Sequence, residues 1–212
     1  MKKAIRIINF SIYTLLSFGV SYYAFNYVFQ TVDPNNDFQI KMLTSGWIPP
    51  THFIAGGLAL ALTPFQLSQK FRNLSKNLHR TVGMFYVLCV LIGGITGLIM
   101  ALNASGGWVA KLGFFNLAVA WLVITTLAFY YAFKGDISKH RRWIYRSVAV
   151  TAAAITLRLF LGIGLGVLQL PFFTVYVPAS WLCWILNLML CEWLLYRKKL
   201  SSKSNQTKDA FA

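Results

Sequence analysis

HRTVGMFYVLCVLIGGITGLIMAL, residues 79–102, decides how the rest of the chain is read. After Arg80 no charged residue occurs until Lys111. The apolar residues follow one another without the alternation of a half-buried strand, over a length that suits a lipid-spanning helix of about 20 residues. Working outward, five further apolar runs cover approximately 7–29, 48–69, 112–134, 144–169 and 174–196. None alternates in the manner of a barrel strand. Trp47, Trp108, Trp143, Tyr145, Tyr176, Trp193 and Tyr196 fall near run ends, where amphipathic rings favour the membrane–water interface. The expected architecture is all-α: a single integral membrane bundle of six transmembrane helices over residues 1–200, followed by a polar, disordered cytoplasmic tail at 201–212.

Composition agrees with that reading and excludes others. Of the 212 residues, 57% are hydrophobic and only 12% charged, against about 25% charged in soluble domains. The formal charge is nevertheless +15, from 20 Lys and Arg against 5 Asp and Glu. A strongly basic chain can signal nucleic acid, so the distribution of the charge matters. Lys2, Lys3 and Arg6 precede the first run. Lys70, Arg72, Lys76 and Arg80 separate the second from the third. Lys134, Lys139, Arg141, Arg142 and Arg146 join the fourth to the fifth, and Arg197, Lys198, Lys199, Lys203 and Lys208 follow the sixth. Seventeen of the 20 thus share one side; Lys41 and Lys111 lie opposite, and Arg158 lies within a run. The positive-inside rule puts both termini in the cytoplasm, with anionic lipids rather than nucleic acid facing the basic side.

The opening MKKAIRI before an apolar run has the look of a secretory signal, but the run is long and no small-residue cleavage site follows, so a retained first helix is expected. The longest outer loop, 30–47, carries Asp33 and Asp37. Cys89, Cys183 and Cys191 fall inside runs without C-x-x-C pairing, which suggests neither a disulfide framework nor a zinc site. Gly93 and Gly97 form a small-xxx-small pair, and run five holds Gly162-Ile-Gly-Leu-Gly166. No strand precedes that series, so it is no nucleotide loop; runs three and five are expected to pack centrally through small residues.

Charged groups in hydrocarbon are functional candidates by default. Arg158 lies about 18 Å along the helix from Arg146, and Glu192 about 7–8 Å before Arg197. Helical side chains lean toward their own N-terminus, so these two lean toward each other from antiparallel helices. Arg158, Asn187 and Glu192 are therefore expected as an intramembrane polar cluster, with Gln66 on the same path. It serves either as a structural ion pair joining two helices or as a proton, quinone or substrate site, including a route for a proton or small solute. Among the histidines, His52 and His79 start runs on opposite sides, about 25–30 Å apart, and cannot share one ligand. His79 and His140 lie on the same side, beside Arg80, Arg141 and Arg142. Paired imidazoles suit haem iron and arginines suit propionates; a quinone or an anionic lipid headgroup suits the same group, and so does plain interfacial placement.

Several separated motifs resemble a bacterial membrane-protein family catalogued as domain of unknown function 2306: His52-Phe-Ile-Ala-Gly-Gly with Thr63-Pro-Phe-Gln66; Leu78-His79-Arg80-Thr-Val-Gly83 with Tyr86; Gly135-Asp136 with His140-Arg141-Arg142-Trp143 and Arg146-Ser147; Thr156-Leu-Arg158; and Trp181, Asn187 and Cys191-Glu192-Trp193. The resemblance spans roughly 48–197. It implies a multi-span protein of the bacterial inner membrane and supplies no activity. The layout also resembles b561-type cytochromes, which hold two haems between paired histidines. With three histidines and His52 lacking a partner, this chain offers at most one such haem site, at His79 and His140. The leading expectation is a redox-linked role with haem b or a quinone at His79, His140, Arg80 and Arg141, and His52 as a weaker candidate. A small transporter or channel and a noncatalytic assembly or lipid-binding protein compete with it. No nucleophile–base pair, hydrolase motif or nucleotide loop is present.

Overall fold

The computed structural model describes residues 2–31, 39–40, 42 and 45–209, with the backbone alone described at 2, 3, 6 and 200–209. Asp33 and Asp37 lie outside the described residues. Among the described residues the chain is helical and has no strand: α1 (Lys2–Phe29), α2 (Ile48–Leu67), α3 (Gln69–Leu74), α4 (Lys76–Leu102), α5 (Gly107–Phe133), α6 (Ile137–Thr151), α7 (Ala153–Leu161), a π-helical segment (Gly162–Val167) and α8 (Phe172–Asp209). The segment from 201, expected as a disordered tail, has helical backbone as far as Asp209.

Local chemistry sets the breaks. Pro49 and Pro50 stand in the first turn of α2, where a missing N–H breaks no intrahelical bond. Ser68 and Ser75 accept from the Phe71 and Leu78 backbone N–H groups at 3.2 and 3.1 Å, capping α3 and α4. Gly106 and Gly107, at φ of +90° and +75°, turn α4 into α5. Asp136 caps α6 through the Lys139 N–H at 3.0 Å. That bond, with the Lys139 ammonium, holds the Asp136 carboxyl below its ordinary range.

Successive long helices alternate in direction. Gln66 meets His79 and Arg146 meets Glu192 at one end. His52 meets Gly97, and Phe114 meets Tyr176, at the other. The first is the basic end; the second is called the far end below. Among the described residues, five segments are long and apolar enough to cross a membrane: Ile7–Phe29, Lys76–Leu102, Gly107–Phe133, Ile137–Val167 and Phe172–Lys199. The second run, expected as a sixth span, forms the 20-residue helix α2 but falls outside that group. Its sequence holds His52, Gly56, Gly57, Thr63 and Gln66, and it packs against α1, α4 and α6. A helix walled by protein has little lipid to satisfy. The other helices turn large apolar side chains such as Leu15, Phe85, Ile95, Val123 and Leu190 outward.

The core gathers Ala59, Tyr86, Cys89, Val90, Trp121 and Val150. A web of hydroxyls crosses it and joins α4, α5 and α6. Tyr86 Oη lies 2.7 Å from Ser147 Oγ and 2.8 Å from Thr151 Oγ1. Trp121 Nε1 donates to Thr151 Oγ1 at 2.8 Å, and Thr125 Oγ1 lies 2.6 Å from Ser147 Oγ. Each buried polar group thereby has a partner in an apolar setting. The glycines of run three pack as expected: a Cβ at Gly93 would come within 3.1 Å of Trp121, and one at Gly94 would strike Leu122. Those of run five do not. Gly162 and Gly166 face open space and only Gly164 meets a neighbour, Val175. The central packing of that run is done earlier, by Ser147, Val148, Val150, Thr151, Ala153 and Ile155.

Candidate functional site

A cavity of about 490 Å³ lies within the bundle between its middle and the far end. It falls in the size range of small-molecule sites, about 300–1,000 Å³. Most of its wall is apolar, from Val20, Phe53, Leu60, Leu117, Val150 and Leu157 among others. The polar exceptions are His52, Arg158, Thr151 and the tyrosines Tyr23, Tyr27 and Tyr176, with the Trp121 indole.

His52 is set by the opening of α2 and by the glycines of α4. Its Nδ1 lies 2.8 Å from the Gly93 carbonyl, which can only accept, so Nδ1 carries the hydrogen and Nε2 is the acceptor of the neutral ring. The ring fits because position 97 has no side chain: a Cβ there would lie 3.1 Å from His52 Cε1.

Arg158 is placed by the interrupted helix α6–α7. Regular hydrogen bonding breaks at Ala152, and Asn187 of α8 braces the junction, donating to the Ala149 carbonyl at 3.2 Å and accepting from Thr156 Oγ1 at 3.0 Å. Four residues beyond Arg158 the π-helical segment begins; such segments are frequent at functional sites. The Arg158 guanidinium lies over the Tyr23 ring, 5.6 Å from its centre. Tyr27, Cys183 and His52 are close enough to feel its charge. Among the described residues no carboxylate pairs with it; the two ion pairs are Lys139–Asp136 and Arg146–Glu192.

The polar cluster expected from the sequence is thus dispersed. Glu192 takes Arg146 rather than Arg158, its two oxygens meeting Arg146 Nε and Nη2. Twelve residues of helix, about 18 Å, separate the two arginines, and side-chain lean recovers only part of that distance. Arg146 also lies over Trp143 at 4.7 Å, so the pair belongs to the basic end. Gln66 is at the same end, its amide 3.5 Å from the His79 carbonyl. Asn187 is near mid-bundle. Glu192 and Gln66 therefore sit at the basic end, Asn187 near mid-bundle and Arg158 beyond it, and of the four Arg158 alone lines the cavity.

His79 and His140 do come near one another at the basic end, with Arg72 also close. His140 Nδ1 is 2.9 Å from the Ala128 carbonyl, so it donates there, the kind of bond by which second-shell carbonyls orient metal-ligating imidazoles. His79 Nδ1 is buried and has no hydrogen-bond partner among the described residues. Arg80 and Arg141 are exposed beside them. His52 is remote from both.

Sequence reasoning missed the approach of His52 to Arg158 and the part played by Tyr23 and Tyr27. The depth of Arg158, counted from the basic end, was a usable signal: it puts the guanidinium in the half of the bundle where α2 begins.

The chain belongs to the predicted membrane protein family DUF2306, domain of unknown function 2306, whose profile matches residues 50–195. The match starts after α1 and includes both histidine sites, Arg158 and Glu192. No curated protein and no solved structure matches the chain.

Proposed function

We propose that this membrane protein binds a small amphipathic molecule with a negatively charged head in the cavity, its head on Arg158 and its apolar body against the surrounding wall. The observation that carries the reading is a guanidinium with no carboxylate partner among the described residues, opening on a mostly apolar cavity. A cation in a low-dielectric interior is costly unless an anion or water compensates it. A ligand anion does so, and His52 adds an acceptor and a donor-bearing ring nearby. The test is binding of lipophilic anions to the purified protein in nanodiscs, followed by native mass spectrometry. Arg158→Gln is expected to weaken retention about tenfold or more, in line with loss of a charge-assisted pair. Equal retention by wild type and variant would defeat the reading.

In this reading α2 is the sixth crossing, since 20 residues of helix rise about 30 Å. The basic end faces the cytoplasm and contacts anionic lipids, both termini lie on that side, and the membrane is the bacterial inner one.

A second reading has its own observation, the buried Nδ1 of His79, which has no partner among the described residues and lies beside His140. The donor set suits haem iron held by two imidazoles, or a quinone oxygen, with Arg80 and Arg141 toward acidic groups. Bound haem would supply one-electron chemistry; the residues' own task would be to hold and orient it. A reduced-minus-oxidised spectrum of protein from haem-replete cells tests this. A Soret band lost in both His79→Ala and His140→Ala is the expected result, and a colourless preparation overturns it.

A further inference from the structure

The outer wall of the cavity bears on which anion it takes and how that anion arrives. Tyr23 of α1 lines the cavity and keeps 50% of its surface exposed. Along α2, α1 is well fastened. Ser21 Oγ donates to the Gly57 carbonyl at 2.8 Å, Tyr13 Oη lies 2.6 Å from Thr63 Oγ1, and the Phe25 ring fills the hollow left by Gly57. Toward α7 it is not: α1 and α7 touch far less than α1 and α2, and the Tyr23–Arg158 ring contact spans the gap. The seam between α1 and α7 is therefore a weak wall with the cavity's one guanidinium just behind it.

We propose that the ligand is a single-chain lipid carboxylate that reaches the cavity sideways from the bilayer, between α1 and α7, past the Tyr23 ring. This rests on the reading that the cavity binds an anionic amphiphile and goes on to name its class and route. The guanidinium fork matches the two oxygens of a carboxylate and compensates its single charge. A phosphate monoester would bring more negative charge than one guanidinium balances. About 490 Å³ suits a drug-sized body, one acyl chain and not two. A chain that approaches from lipid never leaves an apolar medium, and its head displaces Tyr23 from the face of Arg158 on arrival. The remaining wall, from Leu60, Leu117 and Leu157, then receives methylenes.

The test uses the full chain in phosphatidylcholine nanodiscs at alkaline pH, with radiolabelled hexadecanoate as probe. Its methyl ester, hexadecyl phosphate and acetate serve as competitors. Hexadecanoate is expected to bind at one per protein and about tenfold more tightly than the ester, a difference that Arg158→Gln erases and Arg158→Lys partly keeps. Tyr23→Ala is expected to speed both loading and release several-fold, and Tyr23→Phe, which keeps the ring, to leave them near wild type. Acetate should not compete. Equal affinity for acid and ester, displacement by acetate, or preference for hexadecyl phosphate would each overturn the proposal. In the last case Arg158-dependent binding persists and the broader reading stands. If no probe is held in an Arg158-dependent way, both fall together.

Discussion

Tyr86→Ala is expected to destabilise the bundle by about 3–5 kcal/mol, the range for aromatic truncation in a close-packed core. Tyr86 is wholly buried on α4, between Ala59 of α2, Trp121 of α5 and Val150 of α6. Removing its ring opens a cavity where helices from four directions meet. Its hydroxyl matters less. Ser147 keeps Thr125, and Thr151 keeps Trp121 and the Ser147 carbonyl when Tyr86 Oη is gone. Tyr86→Phe is therefore expected to lose only about 0.6–2 kcal/mol, as interhelical hydrogen bonds in membranes do. Thermal unfolding in a mild detergent, read by intrinsic tryptophan fluorescence, separates the two. If phenylalanine proves as damaging as alanine, the hydroxyl web and not ring packing holds the core. If alanine proves harmless, Tyr86 is not where the bundle is pinned.

The helical character of this chain was legible because lipid imposes length. Residues 79–102 admit one reading, and α4 spans Lys76–Leu102. The glycines of that run were legible too, since a missing side chain beside Trp121 and Leu122 is what close helix approach requires. What the pattern obscured was anything that depends on rotation about a helix axis. Depth along the membrane can be counted at 1.5 Å per residue, but which neighbour a side chain faces cannot. Glu192 and Arg158 were within conceivable reach by lean alone; the structure sets Arg146 at the level of Glu192, and the nearer cation takes it. His52 looked isolated because its neighbours come from other helices: Gly93 and Gly97 of α4, and Arg158 of α7. The glycine series at 162–166 misled for a related reason. Small residues permit close packing, but they equally permit the wider π turn that forms there at the far end. Composition cannot distinguish the two uses.

Filling the cavity from within is expected to abolish ligand retention without harming the fold, and Gly56→Leu does this most cleanly. Gly56 lines the cavity from α2, one turn past His52, and a Cβ built on it meets nothing within 4 Å. A leucine there occupies empty volume instead of displacing a neighbour, and leucine is a better helix former than glycine, which sits about 0.8–1 kcal/mol above alanine. Stability should hold or rise slightly while hexadecanoate retention falls by about thirtyfold or more, since overpacking a filled site costs about 2 kcal/mol. Gly97→Leu makes an instructive contrast. Its Cβ would lie 3.1 Å from His52 Cε1 and 3.3 Å from Nδ1, so the ring must move and the bond to the Gly93 carbonyl weakens. That variant should lose retention and stability together. Gly19→Leu, equally unobstructed but on α1 away from the cavity lining, should change neither. Retention measured beside melting temperature for the three variants gives a pattern that general damage cannot reproduce. Were Gly56→Leu to bind hexadecanoate as wild type does, the ligand would lie elsewhere and the cavity would be only a packing defect. The arginine behind Tyr23 would then need another anion to explain it.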